Sequence, residues 1–467
     1  MDRRIRAELI NKMERLMGPG SVLYKPVDLR VYDYDAGIDR ASAEFVCFPT
    51  TTEHVVEIVK MARADRIPFL ARGAGTNLSG GTIPLRGGII IGTSRMTRIL
   101  KIDVPNQRAV VQPGVINLDL VNEAAKHSLL YAPDPASQKV STMGGNIGEN
   151  SGGPHCLKYG VTTNHVLGLE MVTSDGEVVQ LGGEAQDAPG YDLTGVFVGS
   201  EGMFGIATEI TVRLIRPPEA VKTMLAIFNS IEEASETVSA IIAAGIIPAT
   251  LEMMDKQIIH AIEESYHAGF PLDAEAVLII ELDGPKDGLD RLTERVKEIC
   301  KWNKVREVRT AANEAERNQL WAGRRGAFGA LARLSPNYLV MDGTVPRTEL
   351  PRVLREAIKI AESYGLHLGN VFHAGDGNLH PCVLFDEREP TQALAAKKAG
   401  VEILKLCASA GGTITGEHGV GTEKADFMAL IFSEDDMRAM KAVMRAFDPP
   451  NLCNPGKVFP MDKVTDL

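Results

Sequence analysis

The spacing of apolar positions changes near Pro49 and again near Pro217-Pro218, and these changes divide the chain into segments of different predicted structure. Residues 1–40 have apolar positions at helical spacing followed by a polar stretch, which predicts a helical lead-in. From Pro49 onward, short strand-like runs alternate with a few helices in an α/β pattern. The paired prolines predict a domain boundary.

The predicted elements before this boundary are short. Strand-like runs occur at 68–71, 88–92, 101–102, 109–112, 166–174, 177–180 and 208–214. Thr50 and Glu53 have the spacing of a capping box and predict the start of a helix through Ala62. A second helix is expected around 118–127, and the Asp175-Gly176 turn predicts a hairpin between two strands.

Residues 219 to about 370 alternate strands with longer helices, which is typical of an α+β domain. Strands are expected at 223–228, 276–282 and 339–341, and helices at 231–244, 289–302, 350–364 and 391–409. A further helix is expected near the end of the chain.

The segment Val371-Phe-His-Ala-Gly-Asp-Gly-Asn-Leu-His380 carries the most specific chemistry. If Asp376-Gly377 is a two-residue hairpin turn, His373 lies directly opposite His380, with Cβ atoms about 5 Å apart. Two imidazoles at that separation can hold one metal ion, and Glu417 offers a carboxylate to complete a two-His, one-carboxylate site. His418 is then left as a base. The alternative is that these are ordinary polar residues in glycine-rich turns.

The bulk properties exclude several classes of protein. A chain of 467 residues predicts two or three domains, and 44% hydrophobic with 24% charged residues is an ordinary globular composition. The net charge of −11, with no basic block, argues against nucleic-acid binding. No apolar run reaches the roughly 20 residues of a membrane span, and the N-terminus lacks the apolar core of a signal peptide.

The six cysteines are dispersed, at positions 47, 156, 300, 382, 407 and 453, with no Cys-x-x-Cys motif. This spacing argues against a disulfide framework and against an iron–sulfur cluster held by this chain. The sequence therefore predicts a cytoplasmic protein, with membrane association only through a partner.

Glycine-rich loops recur through the first half, at 71–81, 133–153 and 199–205. Such loops let backbone N–H groups approach phosphate oxygens. The first loop has neither the Rossmann spacing nor the Gly-Lys-Ser/Thr of a P-loop. Three or four of these loops in one domain predict a large, extended, polar ligand.

These motifs carry a resemblance that covers nearly the whole chain. Residues 41–218 are similar to the FAD-binding domain of the vanillyl-alcohol oxidase (p-cresol methylhydroxylase) flavoprotein superfamily, and the rest resembles its D-2-hydroxyacid dehydrogenase branch. The matching motifs are Arg72-Gly-Ala-Gly-Thr-Asn77, the glycine run 142–153, Gly199-Ser-Glu-Gly202, the two histidines, Gly416–Gly421 and Asn454-Pro-Gly-Lys457. Within that branch, the FAD subunit of glycolate oxidase and the D-lactate dehydrogenases are the most similar groups.

The resemblance implies an α+β fold: a two-subdomain FAD-binding domain of the p-cresol methylhydroxylase type, and a cap domain with an antiparallel sheet. It implies a helical lead-in at 1–40, an FAD domain at 41–218, a cap domain with the metal site at 219–420, and a C-terminal segment, 421–467, that returns to the flavin.

The resemblance also implies the cofactor-binding residues and the mode of attachment. The implied FAD-binding residues are Arg72, Gly73, Ala74, Gly75, Thr76, Asn77, Gly80, Gly81, Pro135, Ser137, Thr142, Gly144, Gly145, Asn146, Gly148, Ser151, Gly152, Gly153, Glu201, Gly202, Ile206, Asn454 and Lys457. Thr76 and Asn77 occupy the neighbourhood where relatives with covalent flavin often carry a histidine, so FAD held without a covalent bond is expected. His155 and Cys156 are the alternative attachment candidates.

A 2-hydroxy acid presents a carboxylate and an adjacent hydroxyl, which together can chelate a divalent ion such as Zn, Mn or Fe. The ion lowers the hydroxyl pKa, His418 takes the proton, and the α-hydrogen leaves as hydride to flavin N5. By resemblance to the family's Trp-x-x-Arg segment, Arg324 binds the substrate carboxylate, with Arg325 as the fallback. Asn378 is expected to donate a hydrogen bond to substrate or to a metal ligand.

Residues 337–344 contain no Lys or Arg, where relatives that oxidise D-2-hydroxyglutarate have an additional cation. Glycolate or D-lactate is therefore favoured over a dicarboxylate. A hydrolytic metalloenzyme and a non-catalytic flavin subunit are the competing interpretations. The electrons are expected to pass to a separate acceptor, an iron–sulfur subunit or an electron-transfer flavoprotein. The sequence is also compatible with a homodimer.

Overall fold

The computed structural model describes residues 3–184 and 189–460, which form two compact units. Unit 1 contains residues 1–152, 160–217 and 418–467, and unit 2 contains residues 153–159 and 218–417. The segments predicted as 1–40, 41–218 and 421–467 therefore lie mainly in unit 1, and the segment 219–420 lies mainly in unit 2. Each unit is assembled from pieces that are distant in the sequence.

The secondary structure mixes helices with strands throughout. Within the described ranges the helices are α1 Arg3–Met17, α2 Pro26–Leu29, α3 Thr52–Ala64, α4 Asn117–Ala125, α5 Met143–Glu149, α6 Cys156–Tyr159, α7 Leu193–Phe197, α8 Ile231–Ala243, α9 Lys256–Tyr266, α10 Lys286–Trp302, α11 Glu314–Leu331, α12 Leu350–Ser363, α13 Pro390–Ser409 and α14 Glu434–Phe447. The strands are β1 Val22–Leu23, β2 Phe45–Cys47, β3 Phe69–Arg72, β4 Ile89–Gly92, β5 Ile99–Asp103, β6 Arg108–Val111, β7 Val166–Val172, β8 Val178–Gly182, β9 Ile206–Arg213, β10 Ala220–Phe228, β11 Thr250–Asp255, β12 Ala276–Gly284, β13 Glu307–Thr310, β14 Asn337–Val340, β15 His367–His373 and β16 Pro381–Phe385.

Unit 1 contains two sheets. A four-stranded sheet has the order β1-β2-β4-β3, in which β4 pairs in parallel with both β2 and β3. Helices α1 and α3 bury their apolar faces against it, through residues such as Met13 and Ile58. A five-stranded antiparallel sheet has the order β5-β6-β9-β7-β8 and packs against α4 and α5. The hairpin predicted at Asp175-Gly176 is confirmed as the β7–β8 pair.

Two local predictions in unit 1 were wrong. The cap of α3 is Thr51, not Thr50, because the Thr51 hydroxyl accepts a hydrogen bond from the backbone N–H of His54. The glycine run expected to be a loop contains α5, whose N-cap Thr142 accepts from the N–H of Gly145. Burial of Met143 and Ile147 in the core outweighs the low helix propensity of the glycines in this helix.

Unit 2 contains a seven-stranded antiparallel sheet with the order β13-β10-β12-β11-β15-β16-β14. Helices α9 and α11 cover this sheet through a core that includes Ile258, Ile262 and Trp321. The predicted helices α8, α10, α12 and α13 are confirmed to within a few residues at each end. Strand β11, which the sequence analysis did not predict, lies in the middle of the sheet.

The predicted register of the metal-binding hairpin was wrong by two residues. His373 is opposite Asn378, not His380, and the turn consists of the four residues 374–377. The strands β15 and β16 keep this register as far as the pair His367 and Leu384. A shift of two residues leaves side chains on the same face, because the side-chain period of a strand is two. The two histidines therefore still face each other, along a diagonal.

The short segment 153–159 belongs to unit 2, although the residues before and after it belong to unit 1. Its basic and hydroxyl groups contact two acidic residues of β12. The Lys158 ammonium pairs with the Asp283 carboxylate, to which the Tyr159 hydroxyl also donates. The His155 ring stacks on Trp321 and contacts Glu281.

Among residues 3–184 and 189–460, no helix combines the length and apolarity that a membrane crossing requires. The six cysteines are free thiols, and all except Cys156 are buried.

Candidate active site

The glycine-rich loops of unit 1 line a cavity, to which strands β3 and β9 also contribute residues. The residues lining it are Ala71, Gly73, Gly81, Thr82, Thr93, Pro113, Gly144, Gly145, Gly148, Glu149, Phe197, Ser200, Glu201, Gly202, Gly205, Ile206 and Ala207. Most of them come from three of the segments assigned to the cofactor, namely the first glycine loop, the 142–153 run and the 199–206 segment, whereas the 133–137 loop and the 454–457 segment do not contribute.

The lining of this cavity fits a polar cofactor such as FAD. A Cβ atom added at Gly148 would meet no atom within 4 Å, so this glycine faces open space. Two buried polar atoms that belong to lining residues, Glu149 Oε2 and Ser200 Oγ, have no hydrogen-bond partner among the described residues. Buried polar atoms are normally paired, so a bound ligand that supplies partners is expected here.

Several predicted cofactor residues support the cavity from outside instead of lining it. The Arg72 guanidinium donates to the backbone oxygen of Tyr34 and to the Thr82 hydroxyl. The Asn454 amide donates to the backbone oxygens of Gly81 and Glu201. The predicted residues outside the lining are Arg72, Ala74, Gly75, Thr76, Asn77, Gly80, Pro135, Ser137, Thr142, Asn146, Ser151, Gly152, Gly153, Asn454 and Lys457.

Lys457 is also part of this support. Its ammonium donates to the backbone oxygen of Ile83 at 2.6 Å, and its side chain is 1% exposed. Burial lowers the pKa of Lys457 to about 8. The C-terminal segment thus contacts the backbone beside the cavity, at Gly81 and Ile83.

Two buried carboxylates, of Glu149 and Glu201, flank Gly419 in unit 1. A Cβ atom at Gly419 would lie 2.6 Å from Glu149 Oε2 and 2.9 Å from Glu201 Oε1, and its φ is +86°, so glycine is required. Glu201 accepts hydrogen bonds from the backbone N–H groups of Val420 and Gly421. Burial raises the pKa of both carboxyl groups. Glu201 therefore fixes the loop that follows His418.

The predicted metal ligands lie together in unit 2. The Nε2 atoms of His373 and His380 are 3.1 and 3.3 Å from the same oxygen, Oε1 of Glu417. The two rings lie 5.1 Å apart, and the histidine side chains are 7% and 2% exposed. The structure therefore brings all three predicted ligands to one buried point.

The spacing of these atoms fits a metal ion. Bonds of about 2.0–2.2 Å to one ion place neighbouring ligand atoms roughly 3.0–3.5 Å apart. The ligand atoms of His373, His380 and Glu417 all lie within 4.8 Å of one another. Burial alone would lower the pKa of His373, but the Glu252 and Glu417 carboxylates outweigh it and raise the pKa. Burial would raise the pKa of Glu417, but the two imidazoles hold it well below its usual range.

Glu252 and Arg324 extend this cluster. Glu252 Oε1 is 2.8 Å from His373 Nδ1, and Glu252 Oε2 accepts from Nε and Nη2 of Arg324 at 2.8 and 2.6 Å. The Arg324 side chain is 4% exposed. The residue expected to bind the substrate carboxylate thus already pairs with a carboxylate of the protein. Arg325, the fallback, is exposed and lies over the Trp321 ring.

Asp342 organises the other side of the cluster. Its buried carboxylate accepts from the Thr415 hydroxyl, from the N–H groups of Gly416 and Glu417, and from the Asn378 amide. Asn378, expected to donate to substrate or to a metal ligand, donates to Asp342 at 2.7 Å. Asp342 therefore holds the loop that carries Glu417.

His418 follows Glu417 directly in the chain and is half-buried. Glu417 is the last residue of unit 2 and His418 the first residue of the final segment of unit 1. The predicted metal ligand and the predicted base are therefore adjacent in the chain but belong to different units.

Sequence reasoning missed Glu252, Asp342 and Glu149. The signal for Glu252 is a single acidic residue within the apolar run Thr250-Leu-Glu-Met-Met. The signal for Asp342 is an acidic residue directly after an apolar strand. Such isolated charges are rarely buried without a partner, and each of these two has one.

Two family models match the chain. Residues 217–458 match the family model "FAD linked oxidases, C-terminal domain", and residues 43–182 match "FAD binding domain". Among curated relatives, the glycolate oxidase subunit GlcD of Escherichia coli (strain K12) is 46% identical, over 95% of this chain and 89% of the relative. The glycolate oxidase subunit GlcD of Bacillus subtilis (strain 168) is 45% identical, over 92% of each chain. The D-lactate dehydrogenase of Anaerostipes hadrus is 32% identical, over 91% of this chain and 92% of the relative.

Among solved structures, p-cresol methylhydroxylase with substrate bound has a TM-score of 0.84 at 18% identity, covering 100% of this chain and 99% of that one. The 4-ethylphenol oxidase from Gulosibacter chungangensis has a TM-score of 0.82 at 19% identity, covering 98% of each. At this identity the likeness establishes the fold, which is the α+β fold expected from the sequence.

Proposed function

Because this chain belongs to the family of FAD-linked oxidases, we propose that it oxidises a short 2-hydroxy acid, glycolate or D-lactate, to the 2-oxo acid. The observation that carries the proposal is the buried cluster of His373, His380 and Glu417, which can bind the chelating end of such an acid through a metal ion. The relatives named above as glycolate oxidase subunit and D-lactate dehydrogenase support the same substrate class.

In this proposal, His373, His380 and Glu417 hold a divalent ion, for which Zn, Mn and Fe are the candidates. A bound ion would supply Lewis acidity that lowers the pKa of the substrate hydroxyl, and bound FAD would supply the hydride acceptor. His418 is the base that takes the hydroxyl proton, since an imidazole has a pKa near neutrality. Arg324 is the cation for the substrate carboxylate.

A substrate screen with a dye acceptor tests the proposal. Glycolate and D-lactate should reduce the dye, and D-2-hydroxyglutarate should do so more slowly, because residues 337–344 offer its second carboxylate no Lys or Arg. The screen is run with and without added Zn, Mn or Fe. Faster turnover of D-2-hydroxyglutarate would overturn the preference for short substrates. Failure of all three acids to reduce the flavin would indicate a non-catalytic flavin subunit.

The same assay tests the electron acceptor. The Cys residues form no cluster for an iron–sulfur relay, so we propose that electrons leave through a separate partner, an iron–sulfur subunit or an electron-transfer flavoprotein. Oxygen consumption by the isolated chain should then be slow compared with dye reduction. Peroxide formation at the dye rate would show a self-sufficient oxidase and remove the need for a partner.

We further propose that FAD is bound without a covalent link. Acid precipitation of the purified yellow protein should release the flavin into the supernatant as intact FAD. In the structure, the His155 ring is engaged by Glu281 and Trp321 of unit 2. Flavin that stays on the denatured chain would contradict the prediction, and peptide mapping would then test His155 and Cys156 as attachment sites.

A further inference from the structure

Glu252 is opposite His373 in the antiparallel pair of β11 and β15. Directly opposed residues of such a pair share one face of the sheet, so their side chains meet. The Glu252 carboxylate is 1% exposed and divides its two oxygens: Oε1 contacts His373 Nδ1, and Oε2 accepts from Arg324 Nε and Nη2. One buried carboxylate thus joins a predicted metal ligand on a strand to the predicted carboxylate anchor on helix α11.

We propose that Glu252 is a positioning residue that fixes the tautomer of His373 for metal binding and holds Arg324 in place for the substrate carboxylate. The proposal rests on the proposed function, because it assumes that His373 binds a metal ion and that Arg324 faces substrate. Glu252 itself touches neither metal nor substrate in this assignment.

The tautomer follows from the donor and acceptor roles. A carboxylate paired with a guanidinium is ionised and can only accept hydrogen bonds. The contact of 2.8 Å therefore requires the proton of His373 to be on Nδ1. Nε2, the atom that faces Glu417 Oε1, is then the nitrogen that would bind a metal ion, in exchange for the proton it carries when no metal is bound. A carboxylate that orients a metal-binding histidine in this way commonly contributes roughly 10–100-fold in metal affinity or activity.

The buried position of Arg324 depends on its ion pair with the Glu252 carboxylate. Its guanidinium is buried, and a buried charge without a partner is strongly unfavourable, so Glu252 is what allows this arginine to lie in the core. The pair with Glu252 uses Nε and Nη2 of Arg324, and Nη1 is the nitrogen outside that pair. Glu252 therefore links the two groups that would bind the hydroxyl and the carboxylate ends of one small acid.

The test uses Glu252→Gln in the FAD-loaded full chain. A glutamine has one acceptor oxygen, and both neighbours of Glu252 need an acceptor, so one of the two contacts must be lost. We expect affinity for Zn²⁺ or Mn²⁺, measured by equilibrium dialysis, to fall roughly 10–100-fold. FAD content should stay at the wild-type level, and KM for glycolate or D-lactate should rise. Glu252→Gln that binds metal with wild-type affinity would overturn the proposal.

Glu281→Gln is the matched control. Glu281 is also 1% exposed, lies on the neighbouring strand β12, and pairs with Arg317 and the Trp321 indole N–H without contacting His373. This variant should lose stability to heat and keep its metal affinity. Equal metal loss in both variants would mean that general loosening of the sheet, not positioning of His373, explains the effect.

If Glu252→Gln does not fold, the double variant Glu252→Gln/Arg324→Gln removes both buried charges and is measured instead; wild-type metal affinity in it would again overturn the proposal. His373→Ala separates this proposal from the proposed function. Metal lost in His373→Ala but retained at wild-type affinity in Glu252→Gln contradicts only the role of Glu252. Metal retained in His373→Ala contradicts the metal site itself.

Discussion

His373→Ala, His380→Ala and Glu417→Gln are each expected to lose the metal ion and activity while keeping FAD. The reason is geometric: the three ligand atoms converge on one buried point in unit 2, whereas the cavity suited to FAD is lined by residues of unit 1. Loss of a group that binds or orients a metal ligand commonly costs roughly 10–100-fold, and removal of a ligand itself should cost at least that much. Metal analysis, flavin absorbance and dye-linked turnover measure the three properties separately.

His367→Ala is the control for these variants. His367 lies on the same strand as His373 but is exposed, so its removal should leave metal content and turnover unchanged. Stoichiometric metal in a His373→Ala/His380→Ala double variant would show that the ion binds elsewhere. Loss of FAD together with the metal would show that the variants disturb the fold and not only the site.

His418→Asn is expected to retain both metal and FAD, but substrate should reduce its flavin more slowly than in the wild type. Removal of a general base typically costs about 10²–10⁴-fold in rate. The loop after His418 is fixed by Glu201 through the N–H groups of Val420 and Gly421, contacts that do not involve the imidazole. The substitution should therefore leave the backbone in place. Rapid mixing of the oxidised protein with substrate, followed by flavin absorbance, measures the step directly.

His127→Asn provides the comparison, because His127 is an exposed histidine of the same unit. It should reduce its flavin at the wild-type rate. A wild-type reduction rate in His418→Asn would remove this histidine from the mechanism, and added imidazole that partly restores the rate would support its role as a base.

The sequence motifs correctly predicted that His373, His380 and Glu417 lie together, but through an incorrect register. His373 and His380 were expected to be directly opposed, and the four-residue turn 374–377 shifts the pairing by two. The two histidines are nevertheless close together, since a register shift of two residues leaves their side chains on the same face of the sheet. Had the turn contained three or five residues, one histidine would have pointed away from the other.

Contacts between distant segments could not be read from the sequence. Glu252 is 121 residues from His373, and Asp342 is 73 residues from Thr415, and nothing local in either stretch indicates its partner. The same limitation applies to Arg324, whose motif predicted a role toward substrate but not the carboxylate that holds it. Local sequence patterns predict the secondary-structure elements and the face of a strand on which each side chain lies. The order of strands in a seven-stranded sheet depends instead on the packing of the whole unit.

Unit 1 is built from segments that are far apart in the sequence, and this has a consequence for when the cofactor can bind. Its last segment, which begins at His418, donates hydrogen bonds from Asn454 and Lys457 to the backbone oxygens of Gly81 and Ile83, and Cys453 forms a β-bridge with Phe69 of β3. Residues 218–467 take on the order of ten to fifty seconds to translate at about 5–20 residues per second. During that interval residues 1–217 lack the contacts that complete the cavity. We therefore expect the nascent chain to take up FAD only after the segment that carries Asn454 and Lys457 has been made and has bound beside the cavity.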